Sequence, residues 1–269
     1  MPEPNSQLSV LSEPATTPEH VGPLRLPAGI VCCLFDLDGV LTSTARLHAK
    51  AWKSTFDRFL SSPAAGVGAR RDPFSIAVDY REYVDGRQRE DGVRSFLRSR
   101  NISIPEGNRD DPPGAATVFG LANAKNSLLL DIIRTDGVET YPGSIRFVRA
   151  AREAGLSTAV VSASANTKAV LAKAKISALF AVVIDGNVAA ERGLRGKPQP
   201  DTYLAAARDL GTDPSQAAVF EDALAGIDAG RAGGFGWVIG VDRDDRAKEL
   251  SAHGADLVVA DLSELVVGP

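Results

Sequence analysis

Hydrophobic residues follow two patterns along the chain, and the change between them predicts its architecture. A continuous apolar run, IVCCLF (30–35), is typical of a strand covered on both faces of a parallel sheet. Beyond residue 136, helical segments alternate with the predicted strands LSTAVVSAS, FAVVID, QAAVFED, FGWVIGV and ADLVVA. Strand and helix alternation with short connections predicts an α/β fold, a Rossmann-like doubly wound parallel sheet.

The strand signal stops between residues 44 and 135, where the pattern becomes helical. Three segments have helical character: STARLHAKAWKSTFDRFL, GVRSFLRSR and TVFGLANAKNSLLLDII. The stretches that separate them are rich in turn-forming residues. We therefore predict that 30–43 and 136–269 form the α/β core, and that 44–135 form an α-helical cap domain inserted after the first strand.

The first 29 residues differ from the rest in composition. Pro2, Pro4, Pro14, Pro18, Pro23 and Pro27 lie among scattered Ser, Thr and Glu. Such a segment buries too little surface to offset its ordering entropy, so we predict a disordered tail over 1–29. It also lacks the basic and apolar regions of a secretion signal.

Composition excludes several classes of protein. The chain has 269 residues, is 44% hydrophobic and carries a formal charge of −4 with its basic residues dispersed, so we expect no nucleic-acid partner. Apolar runs fall short of the roughly 20 residues that span a membrane, so we expect no membrane partner either. Cys32 and Cys33, adjacent in one strand, are interpreted as reduced core residues of a cytoplasmic protein.

Acidic residues follow two of the predicted strands. In an extended chain, Asp36 and Asp38 face the same way roughly 6–7 Å apart, so both carboxylates can address one site. Glu221 and Asp222 follow another strand. In open α/β sheets ligands bind beyond the carboxyl ends of the strands, and an oxygen-rich cluster of Asp36, Asp38 and Asp222 is the kind that Mg²⁺ prefers.

Two further strand ends carry polar groups suited to a phosphate. Ser162, with the backbone of Ala163 and Ser164, offers a hydroxyl and N–H groups near the start of a helix, where anions are stabilised. Lys197, in GKPQPD, is a cation just before another helix. Singly, each group is explained as a turn, a helix cap or a solvated charge. Their common position at strand ends of one domain favours a phosphoryl-transfer site.

These motifs resemble those of the haloacid dehalogenase-like superfamily of phosphotransferases. DLDGVLT resembles its first motif, VVSAS its second, GKPQPD its third and FEDALAGIDAG its fourth. The resemblance implies that Asp36 is the nucleophile that becomes an aspartyl-phosphate and that Asp38 is the general acid/base. Dehalogenase members lack an acid at the position of Asp38, so phosphoryl chemistry is favoured.

The same resemblance implies the remaining roles in the core. Ser162 and Lys197 would bind the transferring phosphoryl group. Asp222, with Glu221 beside it, would hold Mg²⁺ together with Asp36 and the backbone carbonyl of Asp38.

Within the superfamily the chain resembles the β-phosphoglucomutase group most. TARLHAKAWK resembles its hinge and first cap helix, SASAN its second motif, and GRQRED and AKNSLL its phosphate-binding positions. Substrate binding is thereby implied for His48, Trp52, Lys53, Arg89, Lys125, Asn126, Ala163, Ser164 and Asn166. For Trp52, packing within the cap is the favoured role.

The cap leaves three functions open. A lid that excludes water until a sugar hydroxyl attacks would make a mutase of small phosphorylated sugars. A lid that admits water would make a phosphatase of small phosphate monoesters, and a member that had lost catalysis would be a binding module. The resemblance favours the mutase, acting as a monomer with Mg²⁺.

Overall fold

A six-stranded sheet organises the computed structural model of the protein, which describes residues 24–66 and 70–267. All pairings in the sheet are parallel, in the order β3-β2-β1-β4-β5-β6, which confirms the predicted doubly wound α/β fold. The strands are β1 (Cys32–Phe35), β2 (Ser157–Val161), β3 (Val182–Ile184), β4 (Ala217–Glu221), β5 (Trp237–Val241) and β6 (Leu257–Val259).

Helices cover both faces of the sheet. In chain order the α-helices of the described residues are α1 (Ala45–Leu60), α2 (Arg89–Ser99), α3 (Val118–Asp136), α4 (Pro142–Glu153), α5 (Thr167–Lys173), α6 (Gly186–Glu191), α7 (Asp201–Asp209), α8 (Leu224–Ala232) and α9 (Ala247–Ala252). In the part of the chain that is described, no helix is both long and apolar enough to cross a bilayer.

Strand β1 is central and fully buried, as its continuous apolar run predicts. Successive side chains of a strand point to opposite faces, so Cys33 and Phe35 join one hydrophobic cluster while Cys32 and Leu34 join another. Both cysteines are free and buried. Phe35 stacks on Phe220 of β4, with ring centroids 4.6 Å apart. This packing fixes the end of β1, where the acidic residues begin.

The cap has a hydrophobic core of its own, which supports the proposed division of the chain. Helices α1, α2 and α3 lie between β1 and α4 in sequence. Their aromatic residues stack, with 5.0 Å between the ring centroids of Trp52 and Phe56 and 4.1 Å between those of Phe56 and Phe96. A π-helical segment, Ile76–Val84, also belongs to the cap. The sequence pattern did not predict this segment, because charged residues interrupt its apolar periodicity.

Residues 24–26 are packed on the core, which corrects the predicted extent of the disordered tail. Leu24 and Leu26 are 0% and 1% exposed, and the backbone N–H of Arg25 donates to the Leu265 carbonyl at 2.9 Å. The alternation of apolar and polar residues allows both leucines to point inward. Residues 1–23 lie outside the described residues, and their disorder stays a prediction.

Candidate active site

Asp36 lies at the carboxyl end of the central strand and is 6% exposed. Its own N–H donates to the Phe220 carbonyl at 3.0 Å, which extends the sheet register by one residue. The N–H of Asp38 donates to Asp36 Oδ2 at 2.8 Å, and Lys197 Nζ donates to Asp36 Oδ1 at 2.6 Å. Both oxygens of the candidate nucleophile are therefore oriented by neighbouring groups.

Lys197 lies behind Asp36, between two carboxylates. Its ammonium group also pairs with Glu221, and together these two carboxylates raise its pKa against the effect of burial. Glu221 is 0% exposed; its Oε1 accepts from the Tyr203 hydroxyl at 2.9 Å and its Oε2 from the Ala223 N–H at 3.2 Å. Lys197 thus stays charged, and Glu221 holds it against the nucleophile.

Three carboxylates form a compact oxygen cluster suited to a cation. One oxygen from each of Asp36, Glu221 and Asp222 lies within 4.8 Å of the other two. Burial raises the pKa of Asp222 well above its usual range, and the charges of Asp85 and Asp36 add to this. Burial likewise raises the pKa of Asp36, against the attraction of Lys197. A bound divalent cation would reverse both shifts, so this donor set fits a hard metal ion.

Gly39 makes room for Asp222 beside the nucleophile. Its φ is +101°, and a Cβ at this position would lie 1.8 Å from Asp222 Oδ2. Any other residue would therefore strain the backbone and push the candidate metal ligand away. A backbone requirement of this kind explains the glycine of DLDG.

We expect Gly39→Ala to raise the magnesium concentration that half-saturates activity by about tenfold, because Asp222 is displaced. Magnesium titrations of activity would measure this. Gly155→Ala is the matched control, since Gly155 has φ +85° and nothing within 4 Å of its added Cβ. Equal magnesium requirements in the two variants would show that Gly39 does not position Asp222.

Asp38 is held by groups at the junction of core and cap. The Thr44 hydroxyl donates to Asp38 Oδ1 and lies 2.7 Å from the Thr42 hydroxyl. His48 Nε2 is 3.5 Å from the same carboxylate oxygen, and the Ser162 hydroxyl is 3.5 Å from Oδ2. Both oxygens of the candidate acid/base thus have polar neighbours, one set from the hinge and one from the core.

A buried chain of groups runs from the cap to Asp38. Lys125 Nζ lies 3.1 Å from His48 Nδ1 and 5.0 Å from the centroid of the Trp52 ring. Burial lowers the pKa of Lys125 to about 7, and burial together with the charge of Lys125 lowers the pKa of His48 to about 4. His48 is therefore neutral; with Nδ1 accepting from Lys125, its Nε2–H faces Asp38.

Most of the predicted residues line one narrow cavity between cap and core. From the predicted set these are Asp36, Asp38, His48, Trp52, Arg89, Lys125, Asn126, Ser162, Ala163, Ser164 and Asp222. Asn166 supports this wall, because its side-chain amide donates to Asn126 Oδ1 at 2.8 Å. Cationic groups of the cap thus face the carboxylates and hydroxyls of the core across a shared space.

Lys53 is not among the residues that line this cavity, and its assignment to substrate binding stays a prediction. Its ammonium group donates to the Phe74 carbonyl at 2.9 Å and pairs with Asp57 at 2.8 Å. The reason is helical spacing: Asp57 follows one turn later on α1 and offers a local partner on the outer side of the cap.

Thr44, Tyr80 and Asp85 are among the residues near the cavity that were not predicted from the sequence. Thr44 reaches back to Asp38, while Tyr80 and Asp85 line the cavity from the π-helical segment and the residue that caps it. The position of Thr44 directly before helix α1 resembles an ordinary helix cap, and its side chain makes no capping hydrogen bond. No local signal distinguished these residues from surface polar groups.

The fold and the site together define a class of protein. A parallel sheet with a buried aspartate–lysine pair at the end of its central strand, an acidic cluster beside it and a helical cap above is suited to phosphoryl transfer. A family model described as haloacid dehalogenase-like hydrolase matches residues 30–234. The chain belongs to this family.

Individual relatives agree with the family. A β-phosphoglucomutase of Mycobacterium tuberculosis is 52% identical over 90% of this chain and 94% of its own length. Hexitol phosphatase A of Escherichia coli is 29% identical over 87% of this chain and 92% of its own. A crystal structure of β-phosphoglucomutase from Clostridium difficile superposes with a TM-score of 0.68 and 25% identity, covering 88% of this chain and 93% of that one.

Proposed function

We propose that this protein is a β-phosphoglucomutase, which interconverts β-D-glucose 1-phosphate and β-D-glucose 6-phosphate. The observation that carries the proposal is the contact of the cap with the candidate acid/base: His48 lies against Asp38 and is itself held by Lys125 of the cap. The cap thus supplies part of the surroundings of the proton-transfer carboxylate, whose side chain is 17% exposed. Such coupling suits an enzyme that must exclude water until a sugar hydroxyl attacks its aspartyl-phosphate.

In the proposed reaction Asp36 accepts a phosphoryl group from an activating bisphosphate and becomes an aspartyl-phosphate. Lys197 offsets the negative charge beside it, and Ser162 contributes a hydroxyl to the transferring group. Asp36, Asp222 and the Asp38 carbonyl would hold Mg²⁺, which when bound would neutralise charge on the phosphoryl oxygens.

Asp38 manages the proton in both half-reactions. As base it removes the proton from the attacking sugar hydroxyl, whose oxygen takes the phosphoryl group from Asp36 to give the sugar bisphosphate. After the bisphosphate reorients in the site, Asp36 accepts the other phosphoryl group and Asp38 returns the proton to the leaving oxygen. Arg89, which lines the cavity from the cap, would bind the phosphate that is not being transferred.

The test is a coupled assay for glucose 6-phosphate, run separately with β- and α-D-glucose 1-phosphate, Mg²⁺ and a catalytic amount of the bisphosphate. We expect glucose 6-phosphate from the β anomer, with the α anomer as the inactive control. Product from the α anomer alone would contradict the proposed anomer.

A phosphatase is the second candidate, supported by the similarity to hexitol phosphatase A. It would release inorganic phosphate in equal amount to the sugar phosphate consumed, with no glucose 6-phosphate formed. A non-catalytic binding module would give neither product and would form no hydroxylamine-sensitive phosphoprotein.

A further inference from the structure

The loop after β5, residues 242–246, contacts both the cap and the nucleophile loop, which we define as residues 36–39 directly after β1. It lies beyond the segment matched by the family model. The carboxylate of Asp242 accepts hydrogen bonds from the backbone N–H groups of Asp244 at 3.1 Å, Arg246 at 2.8 Å and Ala247 at 2.9 Å. These hydrogen bonds hold the loop in one conformation and fix the directions in which its side chains project.

Two ion pairs join this loop to the cap. Arg246 Nη1 lies 3.6 Å from Asp85 Oδ2, and the two side chains are only 6% and 12% exposed. Arg81 and Asp244 are 3.7 Å apart, with side chains 34% and 57% exposed. Exposed ion pairs contribute little to stability, so the buried pair of Arg246 and Asp85 is the one that we expect to hold the loop to the cap.

The cap places Asp85 near other carboxylates, and the positive charge of Arg246 stabilises Asp85 in that position. Burial raises the pKa of Asp85 to about 6, the charge of Glu221 adds to this, and Arg246 acts in the opposite direction. Asp85 in turn raises the pKa of Asp222. Closing the cap therefore adds a carboxylate to a group of carboxylates, and Arg246 offsets the repulsion.

The same loop reaches the nucleophile loop from the other side. Arg243 Nε donates to the Gly39 carbonyl at 3.1 Å, and its guanidinium lies 3.8 Å from the centroid of the Tyr141 ring. Its Nη1 donates to the Ala260 carbonyl at 2.7 Å. One short loop thus contacts Gly39 of the core and Asp85 of the cap.

A narrow cleft separates the cap from the loop and leads to the acidic cluster. Tyr80 and Asp85 line it on the cap side, Arg246 lines it on the loop side, and Asp222 of the acidic cluster lines it as well. The ion pair of Arg246 and Asp85 crosses this cleft. Separation of the pair would open a path for water to the side of the site on which Asp222 lies.

We propose that Arg246 is a positioning residue that holds the cap closed over Asp222 and so determines whether sugar or water takes the phosphoryl group from Asp36. The inference rests on the proposed mutase function and adds a determinant of specificity to it. The competing explanation is that Arg246 serves only its own helix, through its bond to Glu249 Oε2 at 3.1 Å.

The test uses Arg246→Gln with Arg192→Gln as the matched control. Arg192 also forms an ion pair, to Asp209 at 2.7 Å, but both partners belong to the core, so this pair does not join core and cap. We expect Arg246→Gln to raise the inorganic phosphate released per glucose 6-phosphate formed by about tenfold, because the closed population falls. Hydrogen exchange in 76–84, measured without sugar, should rise in the same variant, and neither quantity should change in Arg192→Gln.

Asp85→Asn is the second variant, and it keeps the proposal testable if Arg246→Gln does not fold. It should also raise the phosphate ratio and the hydrogen exchange in 76–84. The double variant Arg246→Gln/Asp85→Asn should exceed the single variants only slightly, since all three variants lose the same contact. A phosphate ratio and an exchange rate that match the wild type in both single variants would overturn the role of Arg246 while the mutase stands. If the wild type makes no glucose 6-phosphate, the mutase fails, and exchange in 76–84 still decides whether the pair holds the cap.

Discussion

Asp36→Asn is expected to lower the rate of glucose 6-phosphate formation by about a thousandfold or more, because an amide cannot attack phosphorus. The amide has nearly the shape of the carboxylate and keeps an oxygen for Lys197, so the fold should persist. The coupled assay gives the rate. Labelling with a phosphoryl donor measures the yield of hydroxylamine-sensitive phosphoprotein, and we expect the Asp36→Asn variant to form none.

Asp209→Asn is the charge-matched control for this experiment. Asp209 is an acid of the same domain that pairs with Arg192 on the surface of the core, with 27% of its side chain exposed. The control should keep wild-type rate and labelling. Comparable turnover of Asp36→Asn and Asp209→Asn would exclude Asp36 as the nucleophile.

Lys197→Met is expected to abolish activity and to lower the free energy of unfolding by roughly 3–5 kcal/mol, because two buried carboxylates lose their counter-charge. Asp36 and Glu221 both contact the Lys197 ammonium group, whose side chain is 2% exposed. Methionine replaces the aliphatic part of the lysine, so the loss reports the charge rather than a cavity. Urea unfolding followed by circular dichroism would measure it.

Lys173→Met provides the comparison for a lysine that has no carboxylate partner among the residues that the structure describes. Its ammonium group donates to the Ile133 carbonyl at 2.8 Å in a partly buried position. Adding Glu221→Gln to Lys197→Met should restore part of the stability, since it removes one of the stranded charges. If Lys197→Met costs no more than Lys173→Met, the buried pairs do not stabilise the fold.

The catalytic core could be predicted because its signals are local. Each strand is a short apolar run, and the carboxyl ends of parallel strands meet at one edge of the sheet. Asp36, Ser162 and Asp222, distant in sequence, were therefore expected at one place, and they line one cavity. The helices of the cap were predicted for the same reason, since amphipathic spacing lies within each segment.

The cap's contribution could be predicted only in part. Arg89 and Lys125 were taken as phosphate-binding residues by resemblance, and both line the cavity. The structure adds that Lys125 contacts His48, which in turn lies against Asp38. The spacing of these residues in the sequence does not indicate this chain of contacts. The ion pair of Lys53 with Asp57 was not expected either, because a position on a helix does not say which partner its side chain will contact.

By itself the sequence determined the α/β class, the inserted helical cap and the acids and cation at the strand ends. Only the tertiary structure decided that Thr44 turns back to Asp38, that Ile76–Val84 forms a π-helical segment, and that Arg246 meets Asp85. The reason is physical: hydrophobic periodicity acts over neighbouring residues, whereas the partner of a buried polar group depends on which segments the folded chain brings together and on the charge they carry there.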